Sequence, residues 1–196
     1  IVSGANTLFP TVSLPGPYDL TVTDASNGCT ATITVVVLQD IAVPTATATA
    51  GTITCANPQL TIDGSGSSTG PNFSYQWTTI NGNIVAGANT LFPVVDAGGT
   101  YQLTVTNTTN GCQSTFIVGV GLDMAPPFAD AGPPQTLTCG ANAVLLDGTN
   151  SAAPGLSYQW TTTNGNIASG GNTLTPLVDA TGLYTLTVTN NANGCT

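Results

Sequence analysis

The chain has 196 residues and carries nine acidic side chains, all aspartate, with no lysine, arginine or histidine and a net charge of −9. Nucleic acids and anionic membrane surfaces are bound through Lys and Arg that neutralise phosphate, so this composition excludes both partner classes. It also lacks a base that works near neutral pH and a cation to clamp an anion. A Ser or Cys nucleophile has no activating partner, and the chain does not read as an enzyme. Apolar residues make up 41% of the chain, and they are β-branched and alternating, which argues for a packed fold. The longest apolar stretch, around Ile33 to Leu38, is far short of the ~20 residues of a membrane span, so no direct membrane insertion is expected. The chain opens on Ile1, and any targeting segment is expected outside these residues.

One sentence is written along the chain at a spacing of 83 residues. Ile1–Pro10 returns as Ile84–Pro93 and more loosely as Ile167–Pro176. Cys29, Cys112 and Cys195 keep that spacing, each inside Asn-Gly-Cys, and so do Trp77 and Trp160, each inside Ser-Tyr-Gln-Trp-Thr-Thr. A repeat of this length is one small module copied in tandem. In chain order, residues 1–43 read as the C-terminal half of a module (module 1). Residues 44–123 form a complete module (module 2), and residues 124–196 a module lacking its last strand (module 3), with short linkers at about 41–51 and 121–134. An open sandwich exposes unpaired edges. The flanking pieces are expected in further copies of the same repeat in the same chain, or in a neighbouring chain of a fibre that donates a strand.

Within module 2, Thr52–Cys55 reads as a first strand, and Leu60–Ile62 as a second that stops at Asp63-Gly64. Phe73–Trp77 alternates, with Phe73, Tyr75 and Trp77 on one face. Asn81-Gly82 reads as a tight turn with positive φ at both positions. Ile84-Val85 and Thr90–Phe92 are expected as short middle strands, Tyr101–Val105 as a long alternating one, and Phe116–Val120 as the last. About seven short strands and no helical period predict an all-β fold of tandem immunoglobulin-like sandwiches.

Asp96 to Leu103 and Asp179 to Leu186 look like the tyrosine corner of such sandwiches, built on Tyr101 and Tyr184. Tyr18 is the matching residue of module 1, where Ser13 replaces the Asp and Pro17 precedes the Tyr, so a different corner is expected there. Trp77 and Trp160 occupy the position of the tryptophan buried between the sheets. Ala129–Thr136, Leu145–Thr149 and Leu156–Trp160 are similar to the PKD-like domain family, whose sequence runs close to A-x-A-G-P-x-Q-T, L-D-G-S and L-x-Y-x-W. The added cysteines and the Asn-Gly-Cys turn resemble the variant found in giant, type IX-secreted surface adhesins and filaments of Bacteroidota. The resemblance implies an extracellular or cell-surface location and a structural role, the shaft of an adhesive fibre.

The alternative role is calcium or glycan binding. Asp147, Asp123 and Asp130 are placed near one module boundary, where they would hold Ca²⁺; the previous boundary offers only Asp40 and Asp63. Turn capping explains the same aspartates without a metal, and no cofactor is expected. Phe9, Phe92 and Phe128 are the aromatic residues expected at the surface for a sugar platform.

The five cysteines form no Cys-x-x-Cys pair and have no His to share a zinc site, which points to disulfides in an oxidising compartment. Two pairings stay open. One joins cysteines within a module, Cys55 to Cys112 and Cys139 to Cys195. The other joins Cys55 to Cys195 of the next module, with Cys29, Cys112 and Cys139 left for partners outside these residues. The opposite-end placement of the first and last hairpin turns in a sandwich favours the second, since a disulfide needs Cα atoms within about 7 Å.

Overall fold

A computed structural model describes residues 1–196 as an all-β chain of tandem immunoglobulin-like sandwiches. Module 1 contributes a hairpin, β1 (Gly16–Thr23) and β2 (Thr30–Val37), paired antiparallel over eight residues. Module 2 supplies β3 (Thr52–Thr54), β4 (Leu60–Thr61), β5 (Phe73–Thr79), β6 (Ile84–Ala86), β7 (Val94–Val95), β8 (Gly99–Asn107) and β9 (Gln113–Asp123). These build one sheet in the order β3-β9-β8-β5 and a second in the order β4-β7-β6. All pairings are antiparallel except that of β3 with β9, which is parallel: Thr52, Ile53 and Thr54 lie opposite Gly121, Leu122 and Asp123. Module 3 repeats most of this with β10 (Val144–Leu145), β11 (Leu156–Thr162), β12 (Ile167–Ser169), β13 (Leu177–Val178) and β14 (Tyr184–Asn190). Its sheets are β10-β13-β12 and β11-β14.

The core of module 2 follows from alternation. Residues 101, 103 and 105 of β8 all point between the sheets, and Tyr101, Leu103 and Val105 are fully buried with Ile53, Ile62, Trp77, Val95 and Val120. Trp77 is 3% exposed, and its indole N–H donates to the Thr90 carbonyl at 2.9 Å; Trp160 is 4% exposed and donates to Thr173 at 3.0 Å. A buried indole N–H needs such a partner. In module 1 the matching face of β1 and β2 has no opposite sheet, and Leu20, Val22, Ile33 and Val35 are exposed.

The structure departs from the sequence-based expectation in four places. The strand expected at Thr90–Phe92 lies at Val94–Val95 instead. Residues 87–92 are a turn, in which Gly87 takes φ +73° and the Thr90 hydroxyl accepts the Phe92 N–H while donating to the Gly87 carbonyl. Asn81-Gly82 is not a positive-φ turn either, since neither residue has φ above zero. Gly82 is required for a different reason: a Cβ there would fall on the Tyr101 hydroxyl, and Gly165 stands in the same relation to Tyr184. Tyr18 makes the same corner bond as the other copies. Its hydroxyl donates to the Leu14 carbonyl at 2.7 Å, as Tyr101 does to Ala97 (2.7 Å) and Tyr184 to Ala180 (2.6 Å). The acceptor is backbone, so Ser13 in place of Asp does not disturb it. Finally, residues 121–123 belong to β9, and Ala48 is packed in the core, so much of both expected linkers is module rather than connector.

The Tyr101 hydroxyl also accepts the Asn83 N–H at 3.0 Å. Tyr101→Phe leaves these buried backbone groups short of a partner and is expected to destabilise module 2 by about 1–3 kcal/mol. Tyr18→Phe, in an exposed setting, should cost less than about 1 kcal/mol. Urea unfolding midpoints of the two variants check the difference, and equal losses would contradict it.

Candidate functional site: a clasped joint between modules

Asn-Gly-Cys ends each long hairpin, and the structure assigns a separate task to each of the three residues. In module 3 the Asn193 side-chain oxygen accepts the Cys195 N–H at 3.0 Å, which closes the turn. Its amide nitrogen reaches across to module 2, donating to the Asp123 carboxylate at 2.9 Å, and also donates to the Ala125 carbonyl at the start of module 3, at 3.0 Å. Asn193 is 1% exposed, and its side-chain oxygen and amide nitrogen both have partners, the oxygen in its own turn and the nitrogen at the joint. Gly194 takes φ +72° and lies where any Cβ would strike Ala56. The Asn193 carbonyl accepts the Ala56 N–H at 3.0 Å, a backbone bond between modules. Cys195 then meets Cys55 in a disulfide with Cα atoms 5.0 Å apart and a sequence separation of 140. Of the two pairings open from sequence, the structure holds the one across modules.

The parallel partnership of β3 with β9 explains the encounter. Cys55 follows Thr54, which lies opposite Asp123, so Cys55 leaves module 2 at the end facing module 3. Cys112 immediately precedes β9 at the other end, and the eleven residues of β9 span about 35 Å. No within-module bond can cross that distance.

The joint between modules 1 and 2 repeats the polar half of this arrangement. Asn110 donates to the Asp40 carboxylate at 3.0 Å and to the Ala42 carbonyl at 3.0 Å, each partner lying 83 residues before its counterpart. The Asn110 amide and the Ala42 N–H hold the Asp40 carboxyl below the usual carboxylate range. Cys112 occupies the place that Cys195 takes at the next joint, half-exposed and with a free thiol; Cys29 and Cys139 are free and exposed. Sequence reasoning placed Asp40 and Asp123 at the module boundaries as calcium candidates but missed Asn110 and Asn193 as their partners. Their shared 83-residue spacing is the signal that would have found them.

The other aspartates are engaged locally. Asp63 takes the Ser65 hydroxyl and N–H, and Asp147 takes the Thr149 hydroxyl and N–H, and in both cases the donors lower the carboxyl's pKa. Asp130 is lowered by the Gly132 N–H and the Asn150 amide, with a smaller opposing push from Asp147. Asp24 is lowered by Ser26. Asp96 and Asp179 accept the side-chain amides of Asn83 and Asn166, both at 2.7 Å, rather than capping backbone. The three carboxylates expected together at the boundary are not gathered into a metal-holding group. Phe9, Phe92 and Phe128 are exposed, at 88%, 51% and 68%.

No protein-family model matches the chain. It is 33% identical over 208 residues to the Dyslexia-associated protein KIAA0319-like protein of Mus musculus, covering 92% of this chain and one fifth (20%) of that protein. Among solved structures it is similar to the I-band fragment I67-I69 from titin, at 12% identity over 79% of this chain and 63% of that one, TM-score 0.34. Extracellular domains 3–5 of Drosophila OTK match at 13% identity over 91% and 67%, TM-score 0.30. The human Desmocollin-1 ectodomain matches at 13% over 83% and 39%, TM-score 0.27.

Every carboxyl named above as lowered is stabilised in its charged, folded form. Such a group adds stability above its unfolded pKa of about 3.9, and that contribution is lost as pH falls through the lower folded value. The thermal midpoint is therefore expected to be flat from pH 7 to about 5 and to fall below about pH 4. Calorimetry over that range checks the sign; a midpoint that rises on acidification would contradict it.

Proposed function

We propose that the chain is a tension-bearing segment of an extracellular fibre or adhesin shaft. The observation that carries this reading is the Cys55–Cys195 disulfide across a hydrogen-bonded joint. A disulfide of this kind belongs in an oxidising compartment, which supports a secreted or surface location. The bond also redirects load. Tension arriving along residues 1–55 passes through the sulfur atoms to Cys195 and bypasses everything between. Module 3 and nearly all of module 2 are thus removed from the stretched path while the bond is intact. The loop it closes also lowers the entropy of the unfolded chain, by about 5 kcal/mol at 25 °C for a loop of this length. Nine aspartates with no cation suit a surface that repels its own copies except at built contacts. The wider placement in a bacterial adhesin rests on the repeat and its cysteines.

Single-molecule stretching between the two termini tests the reading. The oxidised chain is expected to lengthen only through residues 1–55 and the last residue. Reduction should release about 470 Å more contour, from 140 residues at roughly 3.4 Å each. Equal contour lengths with and without reductant would sink the proposal. In a longer array, non-reducing peptide maps are expected to link Cys112 to the first-strand cysteine of a preceding copy.

Calcium is the second role to separate. The joint carboxylate of Asp123 already receives Asn193, and Asp130 and Asp147 hold their own donors. Millimolar calcium is expected to leave the melting midpoint unchanged; an upward shift of several degrees would instead favour a metal-stiffened joint.

A further inference from the structure

Asn-Gly is the dipeptide that deamidates most readily, because a glycine without Cβ lets its backbone nitrogen approach the asparagine amide carbon. The chain contains it five times, at Asn27, Asn81, Asn110, Asn164 and Asn193. All five are locked alike. The glycine N–H is donated, from Gly82 to the Thr79 hydroxyl, from Gly111 to the Asn107 carbonyl and from Gly194 to the Asn190 carbonyl, at 2.7–2.9 Å. Gly28 and Gly165 do the same with Asp24 and Thr162. Each asparagine side-chain oxygen in turn accepts a backbone N–H. For Asn81 and Asn164 these partners all lie within one module. Asn110 and Asn193 differ, because their amide nitrogens are held by Asp40 and Asp123 of the neighbouring module.

We propose that Asn193, and Asn110 at the other joint, are deamidation sites guarded by the closed joint, so that a joint which opens is converted irreversibly to aspartate or isoaspartate. The reaction needs only water. The Gly194 nitrogen gives up its proton and bonds to the Asn193 amide carbon; the bond from that carbon to the amide nitrogen breaks, and ammonia leaves with the proton. Water then opens the resulting succinimide at either carbonyl. Three features of the closed joint oppose the first step. The Gly194 N–H is committed to the Asn190 carbonyl at 2.7 Å. Ala56 packs so closely on Gly194 that a Cβ there would lie 2.6 Å from its own, which holds the attacking residue in place. The leaving nitrogen donates to the Asp123 carboxylate and the Ala125 carbonyl, and the chain has no His, Lys or Arg to protonate it. Conversion therefore proceeds through the locally opened state. It also prevents reclosure. The new carboxylate would replace a nitrogen that lies 2.9 Å from an Asp123 oxygen, setting two like charges together with no cation to offset them. The isoaspartate form further lengthens the backbone just ahead of Cys195. Opening by any cause leaves this mark, so the inference stands apart from the tension-bearing reading.

The test incubates the 196-residue chain at mildly alkaline pH, with its three free thiols capped, and follows each Asn-Gly site by peptide mapping and mass spectrometry. With the disulfide intact, Asn193 is expected to persist long after a synthetic peptide of the same local sequence has converted. Reducing and capping Cys55 and Cys195 should speed Asn193 at least about tenfold and leave Asn164 of the same module unchanged. Asp40→Ala should likewise speed Asn110 and leave Asn81 unchanged, away from the disulfide. The consequence is read separately, as the rate at which a thiol reductant cleaves Cys55–Cys195. Asn193→Asp should raise that rate, and Asn193→Asp with Asp123→Asn, which exchanges donor and acceptor, should restore it. Equal conversion of Asn193 in the oxidised and reduced chains overturns the guard. Asn164 or Asn81 rising in parallel with its joint neighbour also overturns it, because whole-module unfolding then explains the loss. A double variant that is cleaved as fast as Asn193→Asp alone overturns charge repulsion as the bar to reclosure.

Discussion

Three residues of parallel pairing carry the rest of the arrangement. Because Thr52–Thr54 runs alongside Gly121–Asp123 in the same direction, the first and last strands of module 2 end at the same pole. That pole then presents two anchors side by side, the Cys55 sulfur and the Asp123 carboxylate. The hairpin tip of module 3 presents the matching pair, Cys195 and the Asn193 amide. A first strand ending at the opposite pole would hold Cys55 about one strand length away from this contact. The covalent and polar halves of the joint are therefore consequences of one choice of strand direction.

The joint also shows how a chain without cations builds specific contacts. Each carboxylate that orders structure here does so by accepting amide or hydroxyl hydrogens: Asn110 on Asp40, Asn193 on Asp123, Asn83 on Asp96, Asn150 on Asp130. Hydrogen bonds to an ionised acceptor are stronger than neutral ones and hold their geometry more tightly. Unlike an ion pair, such a contact leaves the negative charge uncompensated. Neighbouring surfaces then keep repelling each other wherever no built contact exists.

The repeat tolerates change where the joint does not feel it. Cys55 and Cys139 are 84 residues apart, but the joint residues Asp40 and Asp123, Asn110 and Asn193, and Cys112 and Cys195 are all 83 apart. The one-residue difference is absorbed between Asp147 and Trp160, where module 3 carries a short 3-10 turn at Thr149–Ser151. That loop still delivers Ser151 to the backbone of Asp130, as Ser67 is delivered to Thr47. Loop length varied while the hydrogen-bonded endpoint was kept.

The sequence by itself determined the repeat, the all-β class, the inward alternation of Tyr101, Leu103 and Val105, and the buried places of Trp77 and Trp160. These are local properties: a period-two pattern and a copied motif specify them without reference to distant residues. The tyrosine corner was legible in all three copies, although the sequence wrongly suggested a different bond for Tyr18, because the acceptor is a carbonyl that no side chain reveals. The role of Gly82 was misread for a related reason. A dipeptide suggests its own turn, but only the fold shows that the Tyr101 hydroxyl occupies the space a Cβ would need. The partners at the joint were decided by tertiary structure alone. Whether Cys55 meets Cys112 or Cys195 depends on which sheet the first strand joins and in which direction it runs. That choice is set by packing across the whole module, which three residues of sequence cannot encode.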